Sequence, residues 1–598
     1  MSAQILTMPQ TENRYHDLEI HEERNELFSE MAVKMLSQFY CNDNETPQQA
    51  FARTALCFSA GDLELAQRLY DAVSKGWFMF ASPVLSNSVL PGVSPKAMPI
   101  SCFLLDIQDN LESIIDHSTE VRWLSIKGGG VGANWSKVRS VSNKAPGPMP
   151  FLHTIDADMI AYRQGKTRKG SLCAFLDISH PDIMEFIHMR VPTGDVNRKN
   201  LNLHHSINIP DEFMRAVERD EMWDLIDPND ETVRDTIRAR ELWETLLEIR
   251  FRTGEPCIHF ITESNRQLPQ ALKDQGLRIN SSNLCQEITL PTNEERTAVC
   301  CLSSLNLDKF DEWKYSTLVE DMITMLDNVL QFFIDHAPNE LSKAKYSATR
   351  ERSLGLGAMG FHSWLQKNNI AWESEEARLE NEKLFSHIDS RAKEQTIRLG
   401  HEKGEYLDGI GTGRRNAHLT AIAPNANSGM LLGVSPSIEP YNANTFTQRS
   451  RIGSYLIKNP YLAKVLEAHG KNNDATWSNI MLNRGSVQHL KFLTEHEKNV
   501  YKTAMEIDQT TVVQHAADRQ KYIEQGQSVN LFFPAKQDKA EMSKVHYLAW
   551  KNKLKTLYYL RTEAEHRVEN VSEKVERDAL RDYMDKPKEE EECLNCQG

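Results

Sequence analysis

The chain has 598 residues, 40% of them hydrophobic, 26% charged and only 8% aromatic, a balance that fits a globular protein with a large core and excludes a disordered or fibrous one. Its formal net charge of −15 at pH 7 disfavours non-specific attraction to phosphate backbones or anionic membranes, so no nucleic-acid partner and no membrane partner is expected. Met1 to Ile20 is polar and lacks a secretory pattern, and no apolar run approaches membrane-spanning length, so a cytoplasmic location is expected.

Along the chain, Leu27, Met31, Met35 and Phe39 recur every four residues, as do Leu65, Leu69 and Val73 before Gly76, which predicts a small helical lobe over residues 1–77. From Phe78 onward, short apolar runs such as Phe103-Leu104-Leu105 and Leu172-Cys173-Ala174-Phe175-Leu176 read as buried strands. They alternate with amphipathic stretches, Ile237 to Phe251 before Gly254 and Leu318 to Ile334 with Leu318, Met322, Leu326 and Val329 on one face. That alternation predicts an α/β fold with a mainly parallel sheet over residues 78–572. After Glu573 apolar residues become sparse, and Lys586-Pro587-Lys588 followed by four glutamates is a solvated run, so residues 573–598 read as a flexible tail.

The ten cysteines, Cys41, Cys57, Cys102, Cys173, Cys257, Cys285, Cys300, Cys301, Cys593 and Cys596, are too sparse for a secreted disulfide scaffold. In a reducing compartment their positions matter more than their number. Ser281-Ser282-Asn283-Leu284-Cys285-Gln286-Glu287-Ile288-Thr289-Leu290-Pro291 is the most informative stretch. Its composition disfavours a helix, and in an extended chain Asn283, Cys285 and Glu287 share one face. A sulfur able to carry an unpaired electron, a carboxylate able to take a hydroxyl proton and an amide to orient hydroxyls suit radical chemistry on a sugar. On spacing alone, a half-buried strand with incidental polar residues explains them equally well.

Asn283-Leu284-Cys285-Gln286-Glu287-Ile288 resembles the finger-loop motif of class I ribonucleotide reductase large subunits. Ile100-Ser101-Cys102-Phe103 resembles the segment with the family's first active-site cysteine, and Ala298-Val299-Cys300-Cys301-Leu302 with Asn306-Leu307 the strand bearing the second. Pro424 to Ser428 and Gly433 to Pro440 resemble its phosphate-binding region, and Thr556-Leu557-Tyr558-Tyr559 its paired tyrosines. The likeness runs from about Ser82 to the last residues.

This resemblance implies a ten-stranded α/β barrel around a central finger loop, and the reduction of ribonucleoside diphosphates by thiyl-radical chemistry. Cys285 would carry the thiyl radical, Glu287 would be the base at the 3′ hydroxyl, and Asn283 would hydrogen-bond the sugar. Cys102 and Cys300 would supply two electrons and become a disulfide. Adjacent strand residues face opposite sides, so only one of Cys300 and Cys301 can easily face Cys102, and spacing to Asn306 favours Cys300. Tyr558 and Tyr559 would pass the radical from a separate radical-generating beta subunit, which holds the radical metallocofactor; no cofactor is expected covalently bound in this chain, nor a metal site. Cys593 and Cys596 form a Cys-x-x-Cys pair suited to thiol-disulfide exchange with thioredoxin or glutaredoxin, whereas a zinc site would need two further ligands that the tail lacks.

For the substrate phosphates the resemblance implies Ser82, Ser101, Asn425, Ala426, Asn427 and Ser428, although a plain helix cap also explains Asn427 and Ser428. It further implies a homodimer and a dNTP or ATP effector bound with Mg2+, contacted by Asp109 and by the loop carrying Gln164, Lys166 and Arg168, where an ordinary solvated loop is the simpler reading. The stretch before Ser82 is too short for an amino-terminal ATP-cone, so no overall-activity site is expected here. Two other enzymes compete: a cobalamin-dependent ribonucleotide reductase, disfavoured by the paired tyrosines, and a nicotinamide oxidoreductase suggested by Gly355-Leu356-Gly357-Ala358-Met359-Gly360. That glycine pattern lacks a clear βαβ context, and close packing in a barrel explains it as well. A non-enzymatic nucleotide-binding regulator would not need Cys285, Cys102, Cys300 and the tail pair together.

Overall fold

The computed structural model describes residues 14–164, 168–450 and 453–563. The first segment is helical. Ser29 caps Glu30–Phe39 by accepting from the Ala32 amide, and that helix buries Met31 and Met35. Leu27 falls outside it, in a preceding 3-10 turn, and is exposed, so the expected apolar stripe starts one turn later. Leu63–Ser74, capped by Asp62, buries Leu65, Leu69 and Val73 and ends before Gly76.

This lobe docks on the long helix Leu318–His336. Arg68 donates to Asp321 at 2.8 Å, and Asn328 donates to the Phe58 carbonyl at 2.9 Å. Met322, Leu326 and Val329 on that helix are fully buried, each contributing roughly 1.5–3 kcal/mol through apolar surface removed from water.

The apolar runs form strands in two parallel blocks. Cys102–Asp106, Gly130–Asn134, Ser171–Asp177, His204–Asn208 and Cys257–His259 pair in parallel as one block. Ala298–Asn306 and Leu354–Met359 start the second, again in parallel. The ladder continues through single parallel bridges, Leu356 to Thr420 and Ile422 to Gln527, and then through Leu531–Phe533 beside Leu560–Thr562. The blocks run opposite ways and meet twice: Ala298 to Cys300 pairs antiparallel with Cys102 to Leu104, and Thr556–Leu557 with Ile258 and His259. The result is an α/β barrel. The expected parallel preference therefore holds within each block and reverses at the two seams. Phe78–Phe80 adds a short antiparallel strand against Ser303 to Leu305.

The segment from Ile279 to Pro291, whose ends bridge each other, threads this barrel as a buried loop. It departs from the extended strand predicted above. The Gln286 amide donates to the Asn283 carbonyl at 3.2 Å and Gln286 adopts φ +71°, so the chain turns sharply at Cys285. Gly132 makes room for the turn: a Cβ there would lie 1.9 Å from the Ser282 carbonyl oxygen. The glycines at 355 and 357 lie within the strand Leu354–Met359, and a Cβ on Gly355 would press on Leu302 and on the Cys300 sulfur. They serve close packing in the barrel wall rather than a dinucleotide turn.

Candidate active site

The barrel seam sets the first pair of sulfurs. Cys102 and Cys300 are direct register partners in the antiparallel ladder. Such partners lie about 4.5–5.5 Å apart at Cα, inside the roughly 4.4–6.8 Å range that a disulfide spans. Both are buried, and neither is in a disulfide. Strand alternation sends the next residue the other way, and Cys301 Sγ contacts the Leu326 carbonyl on the helix behind the sheet at 3.3 Å. Burial, followed by the neighbouring Cys301, pushes the Cys300 thiol well above its ordinary range, against an opposing hydrogen bond from Gln525.

The loop brings its polar groups to the same seam. Asn283 Nδ2 lies 3.5 Å from Cys102 Sγ, and Glu287 Oε1 lies 4.0 Å from it. Asn283 Oδ1 accepts from the Ile288 amide at 3.0 Å, which locks the amide across the turn. Glu287 is held by Ser528 Oγ at 3.3 Å, and the same hydroxyl donates to the Cys285 carbonyl at 2.6 Å. Burial raises the Glu287 carboxyl to about 7, even though hydrogen bonds from Asn283 and Ser528 act to lower it.

Cys285 belongs to a buried cluster with Cys173, Cys257, Phe175, Leu284 and Tyr558, and Tyr559 packs against the same cluster. The two tyrosine rings overlap, with centroids 3.9 Å apart at 34°. Asn283 and Glu287 of the loop thus lie against Cys102, while Cys285 shares a buried cluster with the tyrosines.

At the opposite ends of the second-block strands, Asn425 adopts φ +54° and caps the short helix Ala426–Leu432. Its Oδ1 accepts from Ser304 Oγ at 3.0 Å, and its Nδ2 donates to the Ala358 carbonyl at 3.3 Å. Ser428 is buried, whereas Ala426 and Asn427 are half-buried. This helix packs on Glu30–Phe39 and on Phe78–Phe80, the strand that leads to Ser82. Ser82 Oγ lies 3.1 Å from the Tyr40 hydroxyl, and Ser101 Oγ 3.5 Å from Cys102 Sγ. Asp109 is salt-bridged to Arg139 at 2.8 Å. The short strands Arg163–Gln164 and Arg168–Lys169 pair antiparallel, while Lys166 lies outside the described residues, as do Cys593 and Cys596.

Several residues around the site escaped the sequence reading. Ser528, Gln525 and Asn530 come from Gln525-Gly526-Gln527-Ser528-Val529-Asn530, a mostly polar stretch that leads into the apolar Leu531-Phe532-Phe533. A polar run placed directly before an apolar one was the available signal. Glu439 is buried and accepts from Asn530 Nδ2 at 2.7 Å, while Asn530 Oδ1 accepts from the Tyr559 amide at 3.0 Å.

The chain matches the ribonucleotide reductase barrel domain over residues 100–409 and 407–560, and the ribonucleotide reductase all-alpha domain over residues 26–92. A Frog virus 3 (isolate Goorha) relative is 51% identical over 95% of this chain and 98% of its own length. The ribonucleoside-diphosphate reductase large subunit of Invertebrate iridescent virus 3 is 42% identical, over 97% of this chain and 100% of its own. Among solved structures, the Actinobacillus ureae class Id ribonucleotide reductase alpha subunit aligns with a TM-score of 0.80 at 32% identity, covering 90% of this chain and 98% of that one. Strand order, threaded loop and sequence agree, and the chain belongs to the ribonucleotide reductase large-subunit family.

Proposed function

We propose that this chain reduces ribonucleoside diphosphates to 2′-deoxyribonucleoside diphosphates, using a radical delivered by a separate beta subunit. The register pairing of Cys102 with Cys300, beside a loop that holds Asn283 and Glu287 against Cys102, carries this reading. Cys285, as a thiyl radical, takes the ribose 3′ hydrogen, forming S–H as C–H breaks. Glu287 accepts the 3′ hydroxyl proton, and the 2′ hydroxyl leaves as water with a proton from the dithiol. Cys102 and Cys300 end as a disulfide, having given two electrons: one of their protons leaves in the water and the other hydrogen goes to C2′, while Glu287 returns its proton to the 3′ oxygen and Cys285 returns its hydrogen to C3′, restoring the thiyl. Diphosphate substrates and the class I assignment are supported by the names of the relatives above.

The partner subunit's metallocofactor supplies the initial oxidising equivalent, and Tyr559 and Tyr558 carry it inward. Ser82, Ser101 and Asn425 to Ser428 are assigned to the substrate phosphates, the short helix offering backbone amides. Asp109, Gln164, Lys166 and Arg168 are assigned to an effector nucleotide with Mg2+. Helix Leu111–Ile126, which adjoins the strand Arg163–Gln164, leaves Leu111, Ile115, Trp123 and Ile126 exposed, a stripe suited to a second copy in a homodimer. The tail pair, Cys593 and Cys596, is assigned to disulfide exchange with thioredoxin or glutaredoxin. No helix among the described residues is long and apolar enough to cross a membrane.

Assays on the purified chain should give deoxynucleotide only when a radical subunit is added, with no response to adenosylcobalamin. Replacing Cys593 and Cys596 with alanine should spare a single turnover and block continued turnover with thioredoxin. Cobalamin-dependent activity without a partner would overturn the class, and sustained thioredoxin-driven turnover without both cysteines would overturn the tail assignment.

A further inference from the structure

Three side chains not used above converge near the hydroxyl of Tyr559. His204, at the start of its barrel strand, places Nδ1 3.3 Å from that hydroxyl, with the two rings tilted at 56°. The same nitrogen lies 2.6 Å from Glu255 Oε1. Arg190 donates to that oxygen too, and its Nη1 lies 3.2 Å from His204 Nδ1, so a guanidinium and an imidazole converge on one carboxylate oxygen. The other oxygen, Oε2, accepts from the His205 amide at 3.1 Å. Burial alone would raise the Glu255 carboxyl, but Arg190 and the two histidines outweigh it and hold the group well below the ordinary carboxylate range.

An ionised carboxylate only accepts hydrogen bonds, so a ring nitrogen 2.6 Å away must carry a hydrogen. Nδ1 of His204 is therefore a donor whose one hydrogen is shared, with Glu255 Oε1 at 2.6 Å as the short arm and the Tyr559 oxygen at 3.3 Å as the longer one, so toward Tyr559 it offers no lone pair. It is placed to hold the phenol oxygen, not to take its proton.

We propose that His204, fixed by Glu255 and Arg190, is a positioning residue for radical transfer, its Nδ1–H holding the Tyr559 oxygen so that the ring stays packed against Tyr558. The assignment rests on the reading of Tyr558 and Tyr559 as radical carriers. In that transfer Tyr559 gives an electron and its phenolic proton to the partner subunit's radical and recovers a hydrogen atom from Tyr558, which recovers one from Cys285. His204 keeps its own proton throughout. Tyr559 is half-buried, and the Asn530 contact to its amide and the Arg561 guanidinium 5.2 Å from its ring centre also restrain it.

The test uses the full chain with its radical subunit and compares His204→Ala, His204→Gln and Tyr559→Phe. In parallel, 3-aminotyrosine is placed at 559 to trap the radical for electron paramagnetic resonance in deuterated buffer. His204→Ala should lower kcat by about tenfold or more with KM unchanged, since small misplacements of reacting groups cost that much. It should also remove the exchangeable-deuteron coupling of the trapped radical, and His204→Gln, which keeps an N–H donor, should restore part of both. Wild-type kcat in His204→Ala, or retention of the coupling, overturns the proposal; His204→Gln gives the same two readouts if the alanine variant does not fold. Tyr559→Phe separates the two layers. Activity in that variant overturns the radical-carrier reading itself, whereas inactivity alongside a normal His204→Ala overturns only the role of His204.

Discussion

Cys285→Ser is expected to abolish deoxynucleotide formation, a loss of at least about 10⁴-fold, while effector nucleotides bind as before. The reason is chemical rather than steric. An O–H bond is stronger than an S–H bond, so a serine in the same turn cannot be oxidised by the tyrosine packed beside it, and it cannot return a hydrogen atom to the ribose. The turn itself should survive. It is held by backbone and neighbouring groups, the Gln286 amide to the Asn283 carbonyl and Ser528 to the Cys285 carbonyl, and not by the sulfur. Turnover with the radical subunit, together with calorimetric titration of an effector, measures both halves. Measurable turnover in the serine variant would remove Cys285 from the mechanism, and lost effector binding would point to a folding defect instead.

Glu287→Gln has the second largest expected effect, with opposite signs in activity and stability. A glutamine cannot accept the 3′ hydroxyl proton, so kcat should fall by about 10²–10⁴-fold, the usual contribution of a positioned base. In the wild type, activity should rise with pH through about 7, where burial has placed the Glu287 carboxyl, because only the ionised form accepts a proton. Stability runs the other way. The carboxyl ionises near 4.5 in the unfolded chain and near 7 in the folded one, so the unfolded state releases its proton first as pH rises. The native state keeps its full advantage below pH 4.5 and loses it as pH climbs through 7, by about 3 kcal/mol. Glutamine has no proton to release, so Glu287→Gln should gain in thermal stability relative to wild type between pH 5 and pH 8. A melting-temperature difference that stays constant over that range would contradict the buried carboxyl.

The fold and the site were legible in the sequence to different degrees, for physical reasons. Amphipathic periodicity located Leu318–His336 and Ala239–Thr253, because long helices with one buried face carry a strong 3.6-residue signal. The alternation of strands and helices indicated the barrel, but nothing local could show that its two parallel blocks run in opposite directions. At the loop, Asn283, Cys285 and Glu287 were singled out, yet for a geometry the chain does not adopt. A non-glycine residue at φ +71° leaves no mark in composition, and the space that permits it is made by Gly132, more than a hundred residues away. The choice between Cys300 and Cys301 needed only strand alternation once the register to Cys102 was known. His204, Glu255 and Arg190 could not have been found, since they are brought to Tyr559 by pairing and packing across the fold.

The central claim is that Cys102 and Cys300 act as the reducing dithiol next to the Cys285 loop. The direct measurement is a single turnover with one ribonucleoside diphosphate and the radical subunit, without external reductant, followed by thiol trapping and peptide mass spectrometry. One deoxynucleotide per active chain should appear together with a disulfide linking Cys102 to Cys300, with Cys301 still a free thiol. Product formed while Cys102 and Cys300 both remain reduced, or a disulfide that recruits Cys301 in place of Cys300, would contradict the account.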